Sequence, residues 1–207
     1  NPMMGIAATM ELVSDGLEPD HPQRGLLAKS MEEIGRIDNI IGELLNLAQP
    51  REMYPEPADV NRLIADVADF LSGLCRKKRI ELRLECSPQA TPVSMDCKAM
   101  REVVINVALN AIQSMKEAGR LTIRTASVDG GSVRITVEDT GEGIPPEIRD
   151  RIFDPFFTTR PDGTGLGLSN CHRIVEAHEG SIFIEDGPEG GTRVQVLLPV
   201  AGSKASP

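Results

Sequence analysis

The chain has 207 residues, 40% of them apolar, which suffices for one ordinary domain with a smaller unit or for two compact units. Its 31 acidic and 22 basic residues give a net charge of −9, which argues against a general nucleic-acid-binding surface. The four cysteines form no C-x-x-C pair, and no apolar run approaches the length of a membrane span. We therefore expect reduced thiols and a cytoplasmic location. The start at Asn1-Pro2, without a signal peptide or initiator Met, indicates a piece of a longer protein.

Two helices are predicted in the first 50 residues. The apolar positions of residues 3–13 fit a short helix, and residues 23–48 fit a long one that carries a heptad stripe. The stripe consists of Leu27, Ser30, Ile34, Ile37, Ile41, Leu44 and Ala48, and it is widened by Met31, Ile40, Leu45 and Leu47. One partner helix cannot cover an apolar stripe of this width. Two such hairpins could bury it as a four-helix bundle, or it could pack on the rest of the same chain.

A proline-rich segment divides the chain. Pro50, Pro55 and Pro57 cannot continue a helix, so residues 51–58 are predicted to be a linker. The expected domains are then a helical hairpin over 1–50 and a second domain over 59–200. The tail over 201–207 is expected to be disordered.

The second domain mixes helices with grouped strands. Asp59 is expected to cap a helix whose apolar side includes Phe70, and another helix is predicted over 97–117. Strands are predicted at 80–84, at 121–126 and 133–137 as a hairpin around Asp129-Gly130-Gly131, and at 182–184 and 194–198. This order indicates an α+β fold built as a sandwich.

A glycine-rich run, Asp162 to Ser169, leads directly into a helical pattern. Alternating glycines let the backbone approach a ligand closely, and a helix N-terminus offers N–H groups to a phosphate. An empty glycine-rich turn would have the same sequence.

Two asparagines lie four residues apart in the helix predicted over 97–117, among apolar neighbours. Asn106 and Asn110 therefore share one face. They could brace adjacent loops, or their amide oxygens could ligate Mg²⁺ beside phosphate oxygens.

Two further segments suggest a ligand site. Asp139 ends a predicted strand before Gly141-Glu142-Gly143, where a carboxylate could accept a hydrogen bond from an amine and the glycines could admit a flat ring. A turn with a helix-capping Asp is the alternative. Residues 153–160 contain three phenylalanines and Arg160, which indicates either the hinge of a mobile lid or a plain core cluster.

Together these segments resemble the catalytic domain of sensor histidine kinases. Residues 106–111 are similar to that family's N box, 139–143 to its G1 box, 153–157 to its F box and 163–168 to its G2 box, and 190–192 resembles a late glycine element. The resemblance implies a GHKL or Bergerat-type α/β sandwich that binds ATP and Mg²⁺, preceded by a helical hairpin that dimerises.

The resemblance also implies roles for residues. Asn110 with Asn106 would hold Mg²⁺, Asp139 would hold the adenine amine, and Arg160 with the G2 backbone would hold phosphates. The implied nucleotide-binding set is completed by Gly141, Gly143, Ile144, Gly163, Thr164, Gly165, Leu166, Gly167, Leu168 and Thr192. In the hydrolysing relatives a Glu stands at the position of Asn106. An amide cannot act as a general base, which favours phosphoryl transfer over hydrolysis.

The hairpin resembles the family's phosphoacceptor region, in which a His lies four positions before an Asn-Pro pair. Here that pair is Asn1-Pro2, so the acceptor would precede this sequence. Asn1 matches the position that orients water when a response regulator is dephosphorylated. We expect a homodimeric histidine kinase core that serves a response regulator, with any membrane contact through segments outside the chain. The alternatives are an ATP-binding dimerisation module without autokinase activity, and a GHKL-type ATPase.

Overall fold

The structure is a computed structural model that describes residues 2–48, 52–87, 92–116, 118–128, 131–160 and 163–200. The chain divides into two compact units, residues 1–51 and 52–207. We call them the N-terminal and C-terminal units and describe each by itself. All four cysteines are free. Within the described ranges, no helix is both long and apolar enough to cross a membrane.

The N-terminal unit is a helical hairpin. Helix α1 spans Pro2–Asp15 and helix α2 spans Gln23–Ala48, so both predicted helices are confirmed. The connection is held by its own hydrogen bonds. The Arg24 side chain donates to the Leu17 carbonyl, and His21 Nδ1 accepts from the Gln23 N–H at 3.2 Å.

Part of the heptad stripe remains uncovered. Ile37, Ile41 and Leu44 on α2 are 44%, 41% and 38% exposed, although they belong to the predicted apolar seam. Met4 and Leu12 on α1 are also exposed. The two helices therefore contact each other but leave a large apolar surface on the unit.

A five-stranded sheet forms the centre of the C-terminal unit. Its order is β2-β4-β5-β7-β6, with β2 parallel to β4 and the other neighbours antiparallel. The strands span Ile80–Cys86 (β2), Gly119–Val128 (β4), Ser132–Asp139 (β5), Ser181–Asp186 (β6) and Thr192–Pro199 (β7). Every predicted strand is confirmed, and the turn residues Asp129 and Gly130 lie outside the described ranges. A two-stranded sheet pairs β1 (Glu56–Ala58) with β3 (Val93–Met95).

Three helices cover one face of the large sheet, and the apolar core lies between the two layers. Helix α3 spans Val60–Lys77, α4 spans Cys97–Ser114 and α5 spans Gly167–Ala177. The carboxylate of Asp59 caps α3 as predicted, accepting from the Asn61 N–H at 2.8 Å. Asp96 caps α4 in the same way. A short 3-10 helix, Pro146–Arg151, follows β5.

The other face of the sheet carries a row of ion pairs across the strands. Glu138 on β5 is bridged by Arg124 on β4 at 3.1 Å and by Arg193 on β7 at 2.8 Å. Arg124 also contacts Glu85 on β2. Because successive residues of a strand point to opposite faces, Glu138 belongs to this row while Asp139 faces the helices.

Three details differ from the sequence-based expectations. Residues 52–58, expected to be linker, belong to the C-terminal unit, and Glu56–Ala58 form β1. Helix α4 ends at Ser114, since Met115 has extended backbone angles. Phe70, expected on the apolar side of α3, is 60% exposed because Val67 and Leu71 take the buried side of that turn.

A histidine ties the end of α5 to the start of α4. His178 is buried, its Nδ1 lies 2.7 Å from the Ile174 carbonyl, and its Nε2 accepts the Asp96 N–H at 2.9 Å. A carbonyl oxygen can only accept, so Nδ1 carries the hydrogen and the ring is neutral. Since Asp96 is the cap of α4, this ring links the two helices that flank the candidate site.

We expect His178→Phe to lower the free energy of unfolding by about 1–3 kcal/mol, because the Asp96 N–H loses its acceptor. Urea denaturation measures the change. His172→Phe is the matched control on the same helix: that ring is partly exposed, contacts Phe153, and its loss should cost less than about 0.5 kcal/mol. Equal losses in the two variants would contradict the linking role of His178.

Candidate nucleotide-binding site

A buried carboxylate stands at the end of β5. Asp139 is only 4% exposed, and its Oδ1 accepts three hydrogen bonds: from the Gly141 N–H at 2.7 Å, the Ser114 hydroxyl at 3.1 Å and the Thr192 N–H at 3.3 Å. Burial raises the pKa of this carboxyl above its usual range, while these donors oppose the shift. The three donors come from different elements, so the carboxylate is fixed in position.

The second oxygen of Asp139 receives no hydrogen bond from the part of the chain that the structure describes. A buried carboxylate oxygen is a strong acceptor, and an amine from outside the chain would satisfy it. The geometry therefore suits an exocyclic amine of a base.

Gly141 makes this arrangement possible. A Cβ at position 141 would overlap the Ser114 hydroxyl and lie 2.8 Å from Asp139 Oδ1. Any side chain there would push Ser114 and the carboxylate apart. Close packing against Ser114 and Asp139 therefore explains why a glycine stands at position 141 of the G1 segment.

The two asparagines of α4 meet different partners. Asn110 Oδ1 accepts from Arg160 Nη1 at 3.2 Å, and the Asn110 carbonyl accepts from Nη2 at 3.1 Å. Asn106 instead lies beside the buried Cys171 thiol of α5, which donates to the Val103 carbonyl at 3.8 Å. Burial raises the pKa of that thiol to about 12, and the Asn106 contact opposes the shift. The two amides therefore have different protein neighbours, and their joint role toward Mg²⁺ stays a prediction.

Arg160 is docked on the last turn of α4. Besides Asn110, its Nη1 contacts Gln113 Oε1. The carbonyl end of a helix carries partial negative charge, which stabilises a guanidinium there. Partial burial lowers the pKa of Arg160 below its usual range without removing its charge at neutral pH.

The phenylalanine segment connects this arginine to α5. Phe153 packs against the core and lies 5.3 Å from the His172 ring, and Arg151 lies 4.6 Å over the Phe157 ring. Phe156 differs from its neighbours: it is 61% exposed and its φ is +66°. That backbone region is uncommon for a bulky residue.

Gly165 of the glycine-rich run lies directly on the Phe156 backbone. Its φ is +71°, and a Cβ there would lie 2.7 Å from the Phe156 Cα. Only glycine fits both constraints. The G2 and F segments are therefore packed against each other, and the chain enters α5 immediately afterwards.

The start of α5 follows directly on the glycine-rich run. Leu166 is buried and anchors the turn, its N–H donates to Thr164 Oγ1 at 3.3 Å, and its carbonyl accepts from Ser169 Oγ at 2.9 Å. Gly167 begins the helix, and Leu168 packs against the core. The first N–H groups of a helix have no partner within it and attract phosphate.

Of the expected site residues, Asp139, Gly141 and Thr192 meet at one carboxylate, and Asn110 meets Arg160. Asn1 and Asp162 lie outside the described residues.

Three contacting residues were missed: Ser114, Gln113 and Arg149. Ser114 had a signal, because Asn106, Asn110 and Ser114 are spaced by four on one helix face. Arg149 donates to the Ile144 carbonyl at 3.0 Å, a contact that the sequence did not reveal.

The donor set fits a magnesium ion with few protein ligands. The described residues contain no group of three or more His, Cys, Asp or Glu that could hold a metal. Mg²⁺ commonly takes one or two protein oxygens together with phosphate oxygens and water. Asn110 offers one such amide oxygen once its hydrogen bond from Arg160 is broken.

Comparison with known proteins shows the family to which this chain belongs. Residues 95–202 match the model of the histidine kinase-, DNA gyrase B- and HSP90-like ATPases. The sensor histidine kinase ZraS of Escherichia coli K12 is 31% identical over 207 residues, which cover 100% of this chain and 44% of that protein. The chain spans less than half the length of the curated relatives ZraS and AtoS.

Two solved histidine kinase structures are similar to this chain over nearly its whole length. Full-length ShkA in complex with AMPPNP is 28% identical with a TM-score of 0.83, over 99% of this chain and 44% of that one. The histidine kinase ThkA in complex with the response regulator TrrA is 27% identical with a TM-score of 0.77, over 98% and 59%. Both similarities extend over the N-terminal hairpin as well as the sheet.

The raised pKa of Asp139 predicts how the site affects stability. A carboxyl with a raised pKa stabilises the fold below its unfolded-state pKa, about 3.9, and this contribution is lost as the pH rises through the folded-state value. At pH 7 the buried charge therefore lowers stability. We expect Asp139→Asn, whose Oδ1 can still accept three hydrogen bonds, to be at least as stable as the wild type at pH 7, with a smaller difference at pH 4.

Urea unfolding at the two pH values measures this. Glu138→Gln is the matched control, since it changes the adjacent carboxylate, which two arginines pair, and it should lower stability. A clear loss of stability in Asp139→Asn at pH 7 would contradict the expectation.

The fixed carboxylate, the docked arginine and the glycine-led helix all lie in the C-terminal unit, most of which the family model covers. The match over more than half of the chain leads to one conclusion: this chain belongs to the histidine kinase-, DNA gyrase B- and HSP90-like ATPase family, and it is similar to sensor histidine kinases in sequence and in structure.

Proposed function

We propose that this chain binds ATP in its C-terminal unit and transfers the γ-phosphoryl group to a histidine, from which it passes to an aspartate of a response regulator. The AMPPNP complex of ShkA supports the nucleotide, and the complex of ThkA with TrrA supports the response regulator. The histidine would lie on a hairpin like that of α1 and α2.

One observation carries the proposal: both ends of the site depend on one turn of α4. Ser114 holds the Asp139 carboxylate, which would accept the adenine amine, and Asn110 holds Arg160, which would contact phosphates. Four residues of helix rise about 6 Å. A base acceptor and a cation anchored so close together suit the two ends of one nucleotide.

Transfer is favoured over hydrolysis by the groups around Asn106. An amide cannot take a proton from water, and this one contacts the Cys171 thiol. The carboxylate of Glu102, one turn earlier on α4, accepts from the Asn170 amide at 2.7 Å. No general base therefore stands at the position from which related ATPases activate water.

In the proposed reaction Asn110 would hold Mg²⁺, which when bound would neutralise phosphate charge. Arg160 would leave Asn110 and Gln113 for the phosphates, and the N–H groups at the start of α5 would orient them. Phosphoryl transfer depends mainly on such positioning and charge neutralisation. Asn106, on the same face of α4, would stand beside Asn110 at the metal.

The acceptor would come from outside this sequence. His21 accepts from the Gln23 N–H in the hairpin connection, His172 contacts Phe153, and His178 is buried with both nitrogens engaged. None stands before an Asn-Pro pair. The chain alone would then bind ATP without labelling itself, and Asn1 would retain its proposed role in dephosphorylating the regulator.

The exposed apolar stripe of α2 supports a homodimer formed through the N-terminal hairpins. Two copies could bury Ile37, Ile41 and Leu44 against each other as a four-helix bundle. We place this core in the cytoplasm, where ATP and reduced thiols are found. Any membrane anchor would lie in other segments of the parent protein.

The first test supplies the acceptor. We expect the wild-type chain incubated with radiolabelled ATP to stay unlabelled, but to phosphorylate a separate hairpin that includes the upstream histidine. Asn110→Ala should reduce this transfer at least about 100-fold, since it removes the proposed metal ligand. Gln113→Ala is the matched control, because it also loses a contact with Arg160 but leaves the proposed ligand intact.

Transfer by Asn110→Ala at the wild-type rate would refute the assignment of Asn110. ATP binding without transfer to any acceptor would favour the dimerisation module, and steady phosphate release without transfer would favour an ATPase.

The second test concerns the dimer. We expect the wild-type chain to sediment as a dimer, and Ile41→Glu to sediment as a monomer, because a buried charge in the seam is unpaired. Phe183→Glu is the control, since Phe183 is a similarly exposed apolar residue on β6 of the other unit. A dimeric Ile41→Glu variant would contradict the proposed seam.

A further inference from the structure

We propose that Arg149 is a positioning residue that holds together the two sides of the base-binding end of the pocket. The inference rests on the proposed function, because it takes the ligand at Asp139 to be an adenine nucleotide. Arg149 lies in the 3-10 helix Pro146–Arg151, between the G1 and F segments.

The guanidinium of Arg149 joins two parts of the pocket. Its Nε donates to the Ile144 carbonyl at 3.0 Å, and its Nη2 contacts the Asp186 carboxylate at the end of β6. The side chain is 28% exposed and its bond to Ile144 is partly buried, whereas Asp186 is 68% exposed. Hydrogen bonds with a charged donor are stronger than neutral ones.

The second contact leads back to the carboxylate that would read the base. Asp186 pairs in register with Thr192 across β6 and β7, and the Thr192 N–H donates to Asp139 Oδ1. Gly141 donates to the same oxygen, and three residues later comes Ile144. These contacts form a closed ring: Ile144, Arg149, Asp186, Thr192, Asp139, Gly141 and back to Ile144.

Arg149 is the only side chain that links the G1 segment to β6 in this ring. Without it, Asp139 would keep its bonds to Ser114 and Gly141, so the carboxylate itself would stay in place. The turn between β6 and β7 would still pack through Gly191 against Gly143, but Ile144 would lose its side-chain link to the end of β6. We therefore expect its loss to weaken binding and base selection more than folding.

A different arginine shows that the turn is also held from the other side. Arg120 forms a two-point ion pair with Glu189 at 2.7 Å and 3.2 Å, and its own carbonyl accepts the Thr140 N–H. Arg120 holds the tip of the turn, whereas Arg149 holds its base and the Ile144 carbonyl. The turn should thus survive the loss of Arg149 with an altered position.

The test measures binding of ADP and GDP to the full chain by calorimetry. We expect Arg149→Gln to raise the Kd for ADP about 10- to 100-fold, as for loss of a charged hydrogen bond, and to reduce the preference for ADP over GDP. Arg149→Lys should restore part of the affinity through Asp186. Arg36→Gln is the control, since it removes an ion pair with Glu33 on helix α2 of the other unit.

Asp186→Asn separates positioning from direct attraction between Arg149 and phosphate. If Arg149 acts through Asp186, this variant also weakens ADP binding, and the double variant is little weaker than either single one. If Asp186→Asn binds ADP as tightly as the wild type or tighter, the proposal is overturned. Should Arg149→Gln fail to fold, Arg149→Lys and Asp186→Asn decide in the same way.

The outcomes also distinguish a failure of the proposed function from a failure of the role of Arg149. A wild-type chain that binds neither nucleotide overturns the proposed function. A wild-type chain that binds ADP, with Arg149→Gln equal to it in affinity and base preference, overturns only the role of Arg149.

Discussion

The hydrogen bond from Ser114 to Asp139 is the contact on which the site depends. It joins the end of α4 to the end of β5, so the helix layer and the sheet meet at the carboxylate. The remaining donors of Asp139 are backbone N–H groups from the loop that follows β5 and from the first residue of β7. A carboxylate held only by neutral donors keeps its charge available to a ligand, while burial raises the cost of leaving that charge without one.

The adjacent carboxylate, Glu138, is instead neutralised by cations. Glu138 is also buried, yet it lies between Arg124 and Arg193 on the far face of the sheet. Strand alternation places two neighbouring carboxylates on opposite faces of the sheet: Glu138 is paired with cations, and Asp139 lies at the candidate site without them. The charged row across β2, β4, β5 and β7 thereby fixes the strand that presents Asp139.

Much of this fold could be predicted from sequence because its signals are local. The heptads of α2, the cap at Asp59 and the alternation of β4 and β5 depend on neighbours in the chain. The predicted glycines at 141 and 165 are explained by close approach to Ser114 and Phe156. The three-residue strands β1 and β3 were missed, since so short a segment carries no period of its own.

The contacts of the site were harder to predict because they join distant segments. A spacing of four placed Asn106 and Asn110 on one face, but a helix face is wide enough for one amide to reach α5 and the other Arg160. The pairing of Arg149 with Asp186 spans 37 residues and depends on the path of two loops. No local pattern encodes such a pair.

The conformation of Phe156 has a mechanical consequence. A left-handed backbone at a non-glycine residue costs roughly 1–2 kcal/mol and persists only where neighbours enforce it, here through contact with Gly165. Any motion that separates the two segments releases this strain and lets the Phe156 side chain change direction. The glycine-rich loop therefore holds Phe156 in a strained conformation. Displacement of that loop would alter the apolar surface beside the candidate site.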